Sequence, residues 1–308
     1  MIAIVCPGQG AQTPGFFNPW LEVAEFKSAI ESMQTASGID LIKHGTEGDA
    51  DTIRDTSIAQ PLIVSASIAS AQALLSGQSA SSANIAGVAG HSVGEIAAAS
   101  IAGVFDSETA IKFVQVRGNE MAKAAALETT SMAAILGGDQ AEIEAALAAF
   151  DLEPANYNGA GQIVAAGSAA GIEALKAAPP TGTRVVPLQV AGAFHTRYMK
   201  PAVAALSEYA NGVTVTDPAV KLWTNAGGKL VRTGSEYLKL LVNQVSSPVR
   251  WDLCMQAMLD AGITAIIEVS PAGTLVGLAK RSMPGIETLA LKTPENLDAA
   301  RELIAAHS

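Results

Sequence analysis

Gly90-His91-Ser92-Val93-Gly94 is the segment of this sequence best suited to chemistry. It follows the apolar run Ile85–Ala89 and precedes a helical pattern starting at Val93, so it reads as G-x-S-x-G in a strand–turn–helix setting. Such a turn holds a serine at the tip of a strand, with small neighbours that avoid collision. The N–H groups of the helix start then lie close to Oγ, where they can receive an oxyanion. The non-catalytic reading is a glycine-rich connection with Ser92 as a helix cap. A nucleophilic serine needs a base, and the chain has four histidines. His307 is penultimate and is expected to fray; His44 reads as part of a polar loop; His91 adjoins Ser92 and should project away from it. His195, in Gly192-Ala193-Phe194-His195-Thr196, remains as the base.

Two other segments belong with this pair. Pro7-Gly8-Gln9-Gly10-Ala11-Gln12 follows the first strand and can bring a backbone N–H to the same end of the sheet. It lacks the spacing of a phosphate-binding loop. Arg117, in Val114-Gln115-Val116-Arg117-Gly118, sits among apolar neighbours on a helix. A guanidinium there must find a carboxylate or bear a large desolvation penalty. That carboxylate is either a structural salt-bridge partner or a ligand's.

The elements that must position these residues alternate short apolar strands with longer amphipathic stretches, the α/β pattern. Strands are expected at Ile2–Cys6, Ile85–Ala89, Lys221–Thr224, Ala265–Val269 and Glu287–Leu291. Helical patterns fall near Leu21–Met33, Ile58–Leu75, Val93–Ala102, Ser107–Ala125, Thr196–Ala210, Ser235–Gln244, Trp251–Leu259 and Pro294–Ala306, the last with Thr293 as N-cap. Strands this apolar belong in a parallel sheet covered on both faces. Between Ser131 and Pro187 the order becomes βαββαβ, a ferredoxin-like unit. The expected division is therefore a large α/β body from residues 1–126 and 191–308, with a small unit at 127–190 inserted into it.

Composition narrows the function. Of 308 residues 49% are hydrophobic and 16% charged, which excludes a disordered or coiled-coil chain. The net charge of −10, with no basic run, argues against nucleic acid and anionic membranes as partners. Asp55 to Glu95 contains no charged residue between its ends, yet Gln60, Pro61 and Gln72 interrupt it before about 18 apolar residues accumulate. A buried helix leading into a buried strand is the expected structure there. Cys6 and Cys254 form no paired motif, and the N-terminus lacks a basic leader, so a reducing cytoplasm is expected. No metal-ligand spacing and no nucleotide fingerprint occurs, so neither a metal nor a bound cofactor is expected.

PGQGAQ, GHSVGE, QVRG, GAFHT and NQVSSPVRW occur in this order over nearly the whole chain. Together they resemble the malonyl-CoA:acyl carrier protein transacylase family, to which polyketide synthase acyltransferase domains are similar. The resemblance implies an α/β-hydrolase-like large subdomain with a mostly parallel sheet and an inserted ferredoxin-like small subdomain. It implies Ser92 as nucleophile, His195 as base, the N–H groups of Gln9 and Val93 as oxyanion hole and Arg117 as holder of the malonyl carboxylate. Catalysis would run through a malonyl-serine, with malonyl-CoA and acyl carrier protein as substrate and partner. By the same resemblance a backbone carbonyl, mapping to Gln244 with Asn243 next door, orients His195 where a hydrolase would use Asp or Glu. Phe194 before the histidine implies malonyl over methylmalonyl. Asn156, Asn158 and Asn225 end strands near the cleft and are assigned no catalytic part. The competing readings are a serine esterase or thioesterase on the same elbow, a malonyl transferase of polyketide synthesis or malonate decarboxylation, and a non-catalytic binding module. A monomer is expected, docking its carrier through a local basic patch.

Overall fold

Along the chain the strands are β1 (Ile2–Cys6), β2 (Ile85–Gly90), β3 (Thr130–Gly137), β4 (Glu153–Gly159), β5 (Gln162–Ser168), β6 (Thr183–Leu188), β7 (Lys221–Trp223), β8 (Leu230–Val231), β9 (Val249–Arg250), β10 (Ala265–Glu268) and β11 (Glu287–Ala290). The computed structural model describes residues 1–190 and 192–308; Ala191, where the expected return to the large body begins, lies outside them.

Six strands form one sheet in the order β11-β10-β1-β2-β7-β8. All its pairings are parallel except β7 with β8. Strand β1 is buried along its whole length, as a non-alternating apolar run requires. Its side chains still alternate between two cores. Ile2, Ile4 and Cys6 face the main core, which holds residues of the helices Ala24–Ser37, Thr56–Leu74 and Ser107–Ala125. Ala3 and Val5 face a second core with the helices Trp251–Asp260 and Thr274–Ser282. The helix Thr56–Leu74 is apolar and long enough to cross a membrane, but 83% of its most apolar stretch is buried in the protein.

The second sheet runs β6-β3-β5-β4-β9. Its first four strands are antiparallel; their order, fourth-first-third-second, is that of a ferredoxin-like unit. The fifth, β9, comes from far down the chain and pairs parallel with β4. Alternation again sorts the faces. Ala133, Ile135, Tyr157, Ile163 and Ala165 pack with Ile143, Leu147, Ile172 and Leu175 of the unit's own two helices. The neighbouring residues Met132, Asn156, Asn158 and Val164 point the other way, into a cavity against the large sheet.

Four places depart from the sequence expectation. His44 lies on a helix, Leu41–Glu47, whose cap Asp40 accepts from Lys43 N–H at 3.1 Å. His307 is tied down, with Nδ1 2.8 Å from Thr264 Oγ1 and Nε2 3.0 Å from Glu287. Strand β9 has two residues, too few for a periodic signal. The helix Thr274–Ser282 has no local capping side chain; Glu268, at the end of β10, accepts from the N–H groups of Gly273, Leu275 and Val276 at 2.8–3.0 Å.

The loops after β1, β2, β7 and β10 share the carboxyl end of the parallel strands, where open α/β sheets place their sites. Close packing at that end requires two glycines. A Cβ on Gly90 would overlap the backbone of Gly94 and Glu95; one on Gly94 would overlap the carbonyls of Cys6 and Pro7. Gly94→Ala is accordingly expected to lower the unfolding free energy by about 1–3 kcal/mol, because only backbone is available to yield. Urea denaturation of the variant beside wild type measures the loss.

Candidate active site

Ser92 leaves β2 in the left-handed region, at φ 53°, and His195 adopts φ 63°. Neither residue is glycine, so each conformation is held against a local penalty of about 1–3 kcal/mol. Asn225, beyond β7, grips both sides of the serine turn: its Oδ1 accepts from Ser92 N–H at 2.8 Å and its Nδ2 donates to Gly90 O at 2.8 Å. His195 N–H donates to Val245 O at 3.0 Å, and Thr196 caps the turn that follows.

These constraints bring the two side chains together. His195 Nε2 is 2.6 Å from Ser92 Oγ, and its Nδ1 is 2.8 Å from the backbone carbonyl of Gln244. The expected register at Gln244, rather than Asn243, is the one the structure adopts. With Nδ1–H donating to that carbonyl, Nε2 is left as an acceptor facing the hydroxyl. Burial first, then the charge of Arg117, lower the His195 pKa to about 3 against the opposing effect of the Gln244 carbonyl. The imidazole is therefore neutral at ordinary pH, the form a base requires.

Arg117 lies on the helix Ser107–Ala125 at 1% exposure. Gly118 beside it lets that helix approach the helix Thr56–Leu74, since a Cβ there would stand 3.0 Å from Thr56 O. The close approach brings Gln60 to the guanidinium, whose Nη1 donates to Gln60 Oε1 at 2.7 Å. Nη2 donates to Gln244 Oε1 at 2.8 Å and lies 3.4 Å from Ser92 Oγ. A structural carboxylate partner is not there: the acceptors are two amide oxygens and the Ser92 hydroxyl, and among the described residues Arg117 makes no ion pair. Burial lowers its pKa to about 10, opposed by the charge of Glu95, and it stays a cation.

A cavity of about 170 Å³ opens over this cluster between the two sheets. Val93 and Gln9 line it, and among the described residues their N–H groups donate to no protein acceptor. Met132, Val164, Leu188, Val190 and Phe194 form apolar wall; Asn156, Asn158 and Gln162 form polar wall. His91 turns away from Ser92, as expected, and places Nε2 2.9 Å from Asn158 Oδ1, joining the serine turn to the small sheet.

Sequence reasoning missed three members of the cluster: Gln60, Glu95 and Asn225. Glu95 is buried at 1% exposure, accepts from Asn225 N–H at 2.6 Å and from Gln244 Nε2, and has its pKa raised to about 7 by burial. A polar residue inside an otherwise apolar stretch was the available signal for Gln60, and an acid inside Gly94–Ile101 was the signal for Glu95.

A two-sheet α/β fold with a serine–histidine contact at the strand ends defines a class, and the comparisons identify it. Residues 3–292 match the family model described as acyl transferase domain, so the chain belongs to the acyl transferase family. It is 45% identical over 302 residues to the malonyl CoA-acyl carrier protein transacylase of Mycobacterium tuberculosis, covering 97% of this chain and 98% of that one. The crystal structure of MCAT from M. tuberculosis superposes with a TM-score of 0.94 at 44% identity, over 98% of this chain and 99% of that one. A malonyl-transacylase solved in complex with a type II PKS acyl-carrier protein superposes at 0.91, with 29% identity and coverage of 98% and 99%.

The depressed pKa of His195 has a consequence for stability. Its folded value, about 3, lies below the unfolded value near 6.5, so the unfolded chain binds the extra proton between these limits. Stability associated with His195 is thus present above pH 6.5 and is lost as pH falls toward 3. Relative to His195→Gln, wild type is expected to lose about 2 kcal/mol between pH 7 and pH 5. Paired urea titrations at the two pH values provide the check.

Proposed function

We propose that this chain transfers the malonyl group of malonyl-CoA to the phosphopantetheine thiol of acyl carrier protein through a malonyl ester on Ser92, supplying fatty acid chain elongation. The observation that carries this reading is the setting of Arg117, a cation held by two amides with no carboxylate among its described partners, whose Nη2 donates at 3.4 Å to a serine oxygen that His195 contacts at 2.6 Å. In a malonyl thioester one methylene separates the reacting carbonyl from the carboxylate, so both groups of the ligand fall within reach of this pair. The names of the relatives support the same donor and carrier.

In the first half-reaction Ser92 Oγ attacks the thioester carbon while its proton passes to His195 Nε2. The oxyanion is received by the N–H groups of Val93 and Gln9, donors worth a few kcal/mol each in such sites. Arg117 holds the carboxylate by charge-assisted hydrogen bonds. Collapse breaks the C–S bond, and CoA leaves as thiol with the proton from His195. In the second half-reaction the carrier thiol gives its proton to His195 Nε2 and attacks the malonyl ester. The C–Oγ bond breaks, and Oγ recovers the proton. CoA is a substrate here, and the scheme requires no bound cofactor. The ring of Phe194 fills space that an α-methyl would need, a preference for malonyl of about 1–3 kcal/mol.

The proposed setting is a monomer in the cytoplasm. Every side chain in the scheme comes from one chain, and Cys6 and Cys254 are buried free thiols whose pKa values burial raises.

Incubation with malonyl-CoA, followed by intact mass and then by addition of phosphopantetheinylated carrier, tests the reading. An adduct of one malonyl group is expected on wild type, absent from Ser92→Ala, and discharged onto the carrier. His195→Ala is expected to slow its formation by roughly 10²–10⁴-fold. An adduct that passes to water at the same rate with and without carrier would instead mark an esterase.

A further inference from the structure

The orientation of one buried amide governs Arg117. Gln244 Nε2 is surrounded by acceptors: Ser92 O at 3.0 Å, Asn225 Oδ1 at 3.3 Å and a carboxylate oxygen of Glu95. Its Oε1 is thereby directed at Arg117 Nη2, 2.8 Å away. Of the three acceptors Glu95 alone is a side-chain acid, and it is fixed at its other oxygen by Asn225 N–H. Glu95 is also the acid whose charge reaches the guanidinium through the interior.

We propose that Glu95 is a positioning residue: it fixes the Gln244 amide with its oxygen toward Arg117, and so holds the guanidinium ready for the carboxylate of the acyl donor. This rests on the reading of Arg117 as the carboxylate clamp and extends it by one shell of side chains. The arrangement sets an acid near a buried cation without placing its carboxyl group on the guanidinium itself. A direct Glu–Arg pair would satisfy the guanidinium and compete with the substrate carboxylate. The intervening amide relays orientation and leaves Nη2, 3.4 Å from Ser92 Oγ, without a carboxylate partner.

Glu95→Gln keeps the shape and removes the guarantee. One end of the new amide must present N–H groups either to Gln244 Nε2 or to Asn225 N–H, both donors. Relief comes when Gln244 turns over and shows its own N–H₂ to Arg117. The experiment compares Ser92 acylation by malonyl-CoA and by acetyl-CoA, which lacks the carboxylate, in wild type and Glu95→Gln. The expected result is a kcat/KM for malonyl-CoA reduced roughly tenfold to a hundredfold more than that for acetyl-CoA, the range of one hydrogen bond to a charged group. Glu95→Asp withdraws the carboxylate by one methylene and is expected to lower the ratio less; it carries the test alone if Glu95→Gln does not fold. An equal fall for both donors in a folded variant overturns the proposal and leaves Glu95 a purely structural residue. A wild-type enzyme that does not prefer malonyl-CoA at all overturns the clamp reading itself, a separate result.

Discussion

Taking a guanidinium out of water carries a penalty of several kcal/mol, and Arg117 bears it at 1% exposure. Much of the large body is arranged around meeting that demand. Gly118 permits two helices to approach until Gln60 touches the fork, and the helix Gly234–Gln244 ends so that Gln244 reaches it from the other side. Neutral amide oxygens orient the guanidinium without cancelling its charge. The attraction for a ligand anion is consequently kept, and in an interior of low dielectric it is strong. Breaking any one of these contacts leaves a buried polar group unsatisfied, which is why the cluster acts as a unit.

The same contacts hold Ser92 and His195. Ser92 and His195 both occupy left-handed backbone, and neither would stay there unsupported. Asn225 secures the serine from β7, while Gln244 and Val245 secure the histidine through their carbonyls. Gln244 serves both halves at once: its main-chain oxygen sets the tautomer of His195 and its side chain sets the pose of Arg117. A carboxylate in place of that carbonyl would stabilise an imidazolium further. It would also set a second negative charge beside the substrate's own.

Much of this was legible before the fold. The apolar, non-alternating strands announced a sheet covered on both faces, and βαββαβ announced the inserted unit, because both patterns are local and periodic. The G-x-S-x-G turn and the elimination to His195 found the serine–histidine contact for the same reason, since few residues of those types were available. What could not be read was long-range. Asn225 acts through a partner far along the chain, Glu268 caps its helix from a strand end rather than from the usual cap position, and the strand β9 and the helix Thr274–Ser282 carry little local signal. Gln60 was visible only as the residue that interrupts an apolar run; its partner, Arg117, is 57 positions away. For Arg117 the sequence left open a structural salt bridge or a ligand carboxylate; the structure holds no salt bridge there and orients the guanidinium with amides.

That substitution of amides for a carboxylate couples binding to chemistry. His195 is a weak base in the resting site because burial and the neighbouring Arg117 both oppose its protonation. On the proposed reading, a carboxylate docked on Arg117 offsets the cation's repulsion when an acyl donor is present, and the proton affinity of Nε2 rises. A ligand without a carboxylate leaves the repulsion in place and meets a poorer base. Discrimination for acidic donors therefore acts twice in this geometry, once in holding the ligand and again in the readiness of His195 to accept the serine proton.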